Sequence, residues 1–329
     1  MFLTISGTSA ILGGRMRRCP NEELLLTGVL RTAPLPRMAG HLSFMRARRV
    51  QLDELRADSL AIVGAPMESA QHRSAGFRFG PRALRETSVY FGWHANAQFS
   101  HPVDIDERVQ IDTSSIHSRL VDIGDLAIED MAHERAHRVI RKVLGVVSRS
   151  GASSVVLGGD SSIVAPTLDA HLACVSRLGL IQFGGTVAIA GIDNCSQLVV
   201  VAPHGALPVE APARTLSASR SAQMHAADWD EFSAAINRTC DGLVIHVDLS
   251  VLQSALHGMA DTPRLDGLTL AVLQQALTSI GQANVRCLIV TGLNPTINGM
   301  SIVKTGQRLL VTSLLGFIYA RLGLIKTWE

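Results

Sequence analysis

The stretch Gly242-Leu-Val-Ile-His-Val-Asp-Leu-Ser-Val-Leu-Gln-Ser254, continued by Asp261-Thr-Pro-Arg-Leu-Asp-Gly-Leu-Thr269, decides the fold. Leu243, Val244 and Ile245 form a short apolar run of the kind that fills a parallel sheet. Asp248 then falls where the strand's carboxyl end opens onto a crevice, which is where open α/β sheets hold their ligands.

Working outward, other segments repeat this plan of a buried run ending in a polar or glycine-rich turn. Ser59-Leu-Ala-Ile-Val-Gly-Ala-Pro66 is such a strand, and the loop Arg73-Ser-Ala-Gly-Phe-Arg-Phe-Gly-Pro-Arg-Ala-Leu-Arg85 opens a helix with Pro81 in its first turn. Ser154-Val-Val-Leu-Gly-Gly-Asp-Ser-Ser162 and Leu178-Gly-Leu-Ile-Gln-Phe183 are two more core strands, with a helix over about residues 163–177 between them. Gln197–Ala202 is another apolar run, followed by Pro203-His-Gly-Ala-Leu-Pro208. Arg286-Cys-Leu-Ile-Val-Thr-Gly-Leu-Asn-Pro295 is the last core strand, and a long apolar helix follows over about residues 301–322. Between Glu129 and Arg149 the residues Met131, Ala136, Val139, Ile140, Val143, Leu144 and Val147 recur at helical spacing and give one face for the sheet.

These segments resemble the arginase and agmatinase (ureohydrolase) family. Gly64 and Pro66 match its Gly-x-Pro strand end. Gly76, Arg78, Gly80, Pro81 and Arg85 match its Gly-x-Arg-x-Gly-Pro-x-x-x-Arg helix start, and Val121-Asp-Ile-Gly-Asp-Leu126 matches its Asp-x-Gly-Asp segment. The bland reading of the glycines and proline is that they shape the turn. The resemblance covers roughly residues 59–320 and implies a three-layer α/β/α fold with a central parallel sheet of about eight strands. Residues 1–50, with Arg15, Arg17, Arg18, Arg31, Arg37 and two prolines, then read as an N-terminal arm or a loose tail, and 51–329 as the ureohydrolase-like domain.

The same resemblance marks what is missing. Family members read Gly-Gly-Asp-His-Ser where this chain has Ser161, and Asp-Ala-His-x-Asp where it has Gly184, Thr186 and Ala188. In the family's Ser-x-Asp-x-Asp-x-x-Asp-Pro signature the first aspartate is kept as Asp248, while Ser250, Gln253 and Ser254 replace the later residues. Gly292 stands where the family places a glutamate facing the substrate's guanidinium, and Asn294 and Pro295 remain. His204 corresponds to the histidine of the family's His-Gly proton shuttle. A pair of bridged divalent ions needs oxygen and imidazole ligands in number, and Asp248, even with Asp160 nearby, is a poor cage for one ion. Small neutral replacements favour abolished binding over a change of metal, so the expectation is no cofactor, the ancestral dinuclear Mn or Ni site being lost.

Composition sets outer limits. The chain has 329 residues, 47% hydrophobic and 18% charged, enough to bury a sizeable core, and a net charge of +2 that gives no footprint for nucleic acid. No run approaches the roughly 20 apolar residues of a membrane span, and Met1 to Gly14 lacks the basic start and cleavage site of a signal peptide. The five cysteines are scattered without Cys-x-x-Cys pairs, which points to a reducing, cytoplasmic setting and not a disulfide framework. Cys195 has no activating neighbour in sequence. His133-Glu-Arg-Ala-His137 is formally a zinc motif, but it has no evident third ligand, and the resemblance puts its helix outside the sheet and away from the crevice.

Two functional readings follow. The first is a metal-free pseudoenzyme of the ureohydrolase kind that acts as a binding, regulatory or assembly subunit, as a homo-oligomer or with an active relative. The second keeps the crevice for metal-independent chemistry on a small guanidino or amino-acid-derived molecule, with His204, Asp248 or His257 as base and orienter; the preferred reading of His204 and Asp248 is as relics at strand ends, the electrophile being missing, and of His246 as a structural histidine. Residual hydrolase activity with a ligand borrowed from His225 is a third.

Overall fold

The computed structural model describes residues 42–69, 75–91, 103–104, 109–185, 191–203, 213–253, 266–296 and 300–327. Its main sheet has nine strands: β1 (Arg48–Arg49), β2 (Leu60–Ala65), β5 (Leu120–Asp125), β6 (Ser153–Gly158), β7 (Leu178–Phe183), β8 (Gln197–Val201), β9 (Ala213–Leu216), β10 (Gly242–Asp248) and β11 (Val285–Thr291). They run in the order β1-β5-β2-β6-β11-β10-β7-β8-β9, and every neighbouring pair is parallel. The sheet therefore slightly exceeds the eight strands expected. The two-residue β1 at one edge carries no hydrophobic signal, and residues 42–50, grouped with the arm in the sequence, contribute it together with the buried Phe44 and Met45. A small antiparallel sheet of β3 (Val103–Asp104), β4 (Val109–Ile111) and β12 (Ile325–Thr327) lies apart.

Strands buried on both faces alternate between two cores. Val155, Leu157, Leu288 and Val290 pack on one side with helices α1 (Gly80–Ser88), α4 (Ala226–Asn237), α5 (Leu270–Gly281) and α6 (Met300–Arg321). Val156, Cys287 and Ile289 pack on the other side with α2 (His133–Arg149) and α3 (Val164–Leu172). The result is three layers. Helix α2 forms because Ala136, Ile140, Leu144 and Val147 bury one stripe, as the spacing indicates. Helix α3 ends at Leu172, short of the residue 177 expected, because residues 173–177 turn to enter β7. Pro81 sits in the first turn of α1, and the Thr269 side chain caps α5 by accepting from the Val272 amide at 3.3 Å.

One buried ion pair joins these parts. Arg85, 3% exposed on α1, donates from Nε and Nη2 to the two carboxylate oxygens of Asp122 on β5, at 2.8 and 3.0 Å, and its Nη1 reaches Asp125. Asp122 also accepts from the Phe44 and Gly124 amides, each at 2.8 Å. Burial works against the Arg85 charge, but Asp122 and Asp125 outweigh it and raise its pKa. A Cβ at Gly64 would overlap the Asp125 carboxylate, so the glycine of the strand motif makes room for this network.

Arg85→Ala is expected to lower stability by about 3–5 kcal/mol in urea titration, because it leaves Asp122 charged and unpaired in the core. Arg85→Lys, which keeps the charge without the planar fork, recovers only part of that loss.

A second group ties stability to pH. His171 on α3 is fully buried, and burial, then the charge of Arg286, pulls its pKa from 6.5 down to about 4. Between those values the unfolded chain takes up a proton that the folded one refuses. The contribution is thus complete above pH 6.5 and is lost as pH falls toward 4, by about 3 kcal/mol. Urea titrations at pH 7 and pH 5 should show a smaller drop for His171→Asn than for the parent.

Candidate functional site

Four adjacent strands, β6, β11, β10 and β7, end side by side and bring together the positions singled out in the sequence. Ser161 begins the turn after β6 and is exposed. Gly184 and Gly185 follow β7, Asp248 ends β10, Ser250 sits in the turn Leu249–Val251, and Gly292 follows β11. Thr186, Ala188, His204 and His257 lie outside the described residues.

Asp248 is half-buried, and its Oδ1 accepts from the Ser250 amide at 2.9 Å, capping the turn that follows. A Cβ built on Gly292 would stand 3.2 Å from that oxygen, and one on Gly185 would stand 3.3 Å from Oδ2, so both glycines press closely on the carboxylate. Gly184 is more constrained. Its φ is +69°, and a Cβ there would lie 2.6 Å from the Cβ of Val251 and 2.9 Å from its amide nitrogen. The backbone thus favours glycine, and the direction a ligating side chain would take is filled by Val251.

The Ser250 hydroxyl is buried without a partner among the described residues, whereas Asp160, Glu68 and Asn294 are engaged. Asp160, buried at the end of β6, accepts from the Ser162 amide at 2.9 Å and also from the Ser162 hydroxyl and the Ser69 amide. Glu68 accepts from Arg78 Nε at 2.6 Å and from the Gly76 and Phe77 amides. Burial opposes its charge, but these donors prevail and hold its pKa below the usual value. Asn294 spans from the Ala75 carbonyl at 3.1 Å to the Thr296 amide at 3.0 Å, and so fastens the Gly76–Arg78 loop to the end of β11.

One pair escaped sequence reasoning. His246, fully buried on β10, makes a 2.8 Å hydrogen bond through Nε2 with Thr291 on β11, and its Nδ1 has no partner among the described residues. Burial first, against the attraction of Asp248, lowers its pKa to about 4 and keeps it neutral. A histidine inside an apolar run was the available signal.

The His133 and His137 rings do meet, with centroids 4.0 Å apart and planes inclined at 51°. The expectation that their helix lies away from the crevice needs correction, because α2 starts beside the strand ends and His137 feels both Ser162 and Asp160. Burial, then His133 and Arg141, still lowers its pKa. Among the described residues no three His, Cys, Asp or Glu side chains gather as a metal site would require. His225 caps α4, its amide donating to Asp228 at 2.8 Å. Cys195 is no nucleophile: burial, then Cys240 and Asp193, pushes its thiol up to about 11. The four described cysteines are free.

A three-layer α/β/α fold around a parallel sheet, with polar turns on four adjacent strand ends, puts the candidate site at the carboxyl edge of the sheet. Residues 58–184 match the arginase family model. The chain is similar to an agmatinase of Neisseria meningitidis serogroup C, 31% identical over 164 residues, which are 50% of this chain and 48% of that one. It is also similar to a guanidinobutyrase of Pseudomonas aeruginosa, 31% identical over 149 residues, 45% of this chain and 43% of that one. These matches span about half the length of those curated relatives. In fold it is similar to a hypothetical agmatinase from Burkholderia thailandensis, with a TM-score of 0.69 and 21% identity over 89% of this chain and 97% of that one. A proclavaminate amidino hydrolase from Streptomyces clavuligerus gives a TM-score of 0.67 and 19% identity over 87% and 98%. The family match is thus confined to residues 58–184, while the likeness in fold extends over most of the chain.

Gly184→Asp, which places a carboxylate where the sequence resemblance expects a ligand, is expected to cost about 2 kcal/mol or more in urea titration through strain and the clash with Val251. Manganese should leave the melting temperature of this variant unchanged.

Proposed function

We propose that this chain is a ureohydrolase-like protein that has given up dinuclear metal chemistry and works by binding or by assembly, with itself or with an active relative. The carrying observation is Gly184, whose left-handed backbone faces Val251 where a metal-ligating side chain would have to stand. The other donors point the same way. Ser161 and Ser250 offer neutral hydroxyls, Thr186 and Ala188 are by type weak ligand and non-ligand, and Asp248 is already engaged with a backbone amide. The residues present do not fit a pair of divalent ions, and no metal-bound hydroxide enters this reading. Among the described residues no helix is long and apolar enough to cross a membrane. A cytoplasmic setting is part of the proposal, on the scattered cysteines.

A second reading is favoured by one observation. Asp248 is a half-buried carboxylate at a strand end with no ion pair among the described residues, flanked by glycines and by the neutral His246. It is suited to a small cationic ligand such as a guanidinium or ammonium group, held directly by the carboxylate.

The test is a purification without chelator, metal analysis before and after loading with manganese or nickel, and assay of urea release from arginine, agmatine and 4-guanidinobutyrate. The expectation is substoichiometric metal and no urea above the uncatalysed rate. Urea formed at an enzymatic rate, and lost in Asp248→Asn, would end the proposal. A rise in melting temperature with agmatine that Asp248→Asn abolishes, without urea, would favour the second reading.

A further inference from the structure

Three arginines meet at the other end of the molecule, where the strands of the main sheet begin. Arg321, the last residue of α6, donates from Nε to the Val285 carbonyl at 2.9 Å and to the Ser153 hydroxyl at 3.1 Å. Arg286, the neighbour of Val285, donates from Nη2 to the Ser148 carbonyl at 2.9 Å, while its Nε is buried without a partner. Arg119, in the short helix Ile116–Arg119, donates from Nη1 to the carbonyl of Leu322, next to Arg321, at 2.5 Å and from Nε to the carbonyl of Asp58 at 3.3 Å, which leaves its Nη2. All three are half-buried, and none has an ion pair among the described residues.

The carbonyls they touch explain part of this arrangement. Ser148 and Leu322 lie at the carboxyl ends of α2 and α6, where each helix presents roughly half a negative charge. Two such ends offset about one of three full positive charges, so a surplus remains. Nearby carboxylates do not remove it, because Asp58 pairs with Arg56 at 3.3 Å and Asp241 with Arg177 at 2.6 Å. Burial, and then the like charges of Arg286 and Arg119, lowers the pKa of Arg321, in keeping with the hydrogen-bonded placement of the three side chains. Half-buried charges are ordinarily paired, and planar guanidiniums with free N–H groups match the oxygens of a phosphate.

We propose that Arg119, Arg286 and Arg321 form a binding site for a small multivalent oxyanion of the phosphate class, at the amino end of the sheet and remote from the crevice. The site uses the guanidinium edges left over after the carbonyl bonds, with the unpartnered Nε of Arg286 as one donor. It is independent of the function proposed above, since no strand-end residue of the crevice contributes to it.

The experiment follows the melting of the full chain in inorganic phosphate or pyrophosphate against sodium chloride of equal ionic strength. Phosphate or pyrophosphate is expected to raise the melting temperature at least about 2 °C above the chloride control. Arg119→Ala should abolish the difference, and Arg286→Lys, which keeps the charge but loses the fork, should reduce it. Should either variant fail to fold, equilibrium dialysis of labelled phosphate with the parent chain is expected to show saturable binding of one anion per chain. Equal melting in phosphate and chloride, an undiminished difference in both variants, or non-saturable dialysis would each overturn the proposal. Stabilisation that follows protein concentration instead of phosphate would also overturn it, and would assign the charges to carboxylates of a second copy.

Discussion

The pairing of Arg85 with Asp122 is the interaction on which the rest of the architecture depends. Each group alone would be expensive to bury, and together they are acceptable only because their remaining hydrogen-bonding capacity is met. Asp122 accepts from two nitrogens of Arg85 and from the Phe44 and Gly124 amides, which gathers α1, β5 and the segment leading to β1 around a single carboxylate. The geometry also explains Gly64 on the neighbouring strand, since any side chain there would intrude on Asp125. The strand motif and the helix motif are thus two halves of one contact, and their survival concerns the scaffold and not the chemistry.

At the carboxyl ends of β6, β7, β10 and β11 the polar groups take a different part. The turns after β6, β7, β10 and β11 still meet, and Asn294 still fastens the Gly76–Arg78 loop across the end of β11. What differs is where the polar groups look. Asp160 and Asp248 serve backbone amides of their own turns, and Val251 fills the space beside Gly184. A site built for cations would direct such oxygens outward, together, and toward a common centre. Here they act as turn formers, a role that short carboxylates take readily.

The fold was legible because its signals are local and additive. Apolar runs such as Leu243–Ile245 announce buried strands, the Pro81 turn announces α1, and the spacing from Ala136 to Val147 announces α2. The edges were less legible, since two arginines forming β1 carry no pattern and are placed by pairing with β5 alone. For the site, residue types told which ligands were gone, and chain order placed Asp248, Ser250 and Gly292 near one another. Nothing in the sequence distinguished a vacant position at Gly184 from one occupied by Val251, because that depends on a positive φ and a neighbour from another loop. The His246–Thr291 bond was hidden for the same reason: it joins residues 45 apart that only the β10–β11 register brings opposite. The charge balance at the amino end was hidden too, as Arg119, Arg286 and Arg321 are scattered singly along the chain.

The bracing around Asp160 and Glu68 bears on how this protein comes into being. Where a metal organises a site, the loops stay loose until the ion arrives and folding is tied to its supply. Here Glu68 holds Gly76, Phe77 and Arg78 through two amides and one guanidinium, and Asp160 holds the turn after β6, so each of these two carboxylates is answered from within the chain. If the proposed metal-free reading holds, newly made polypeptide sets these two turns as the backbone closes, without waiting for an ion.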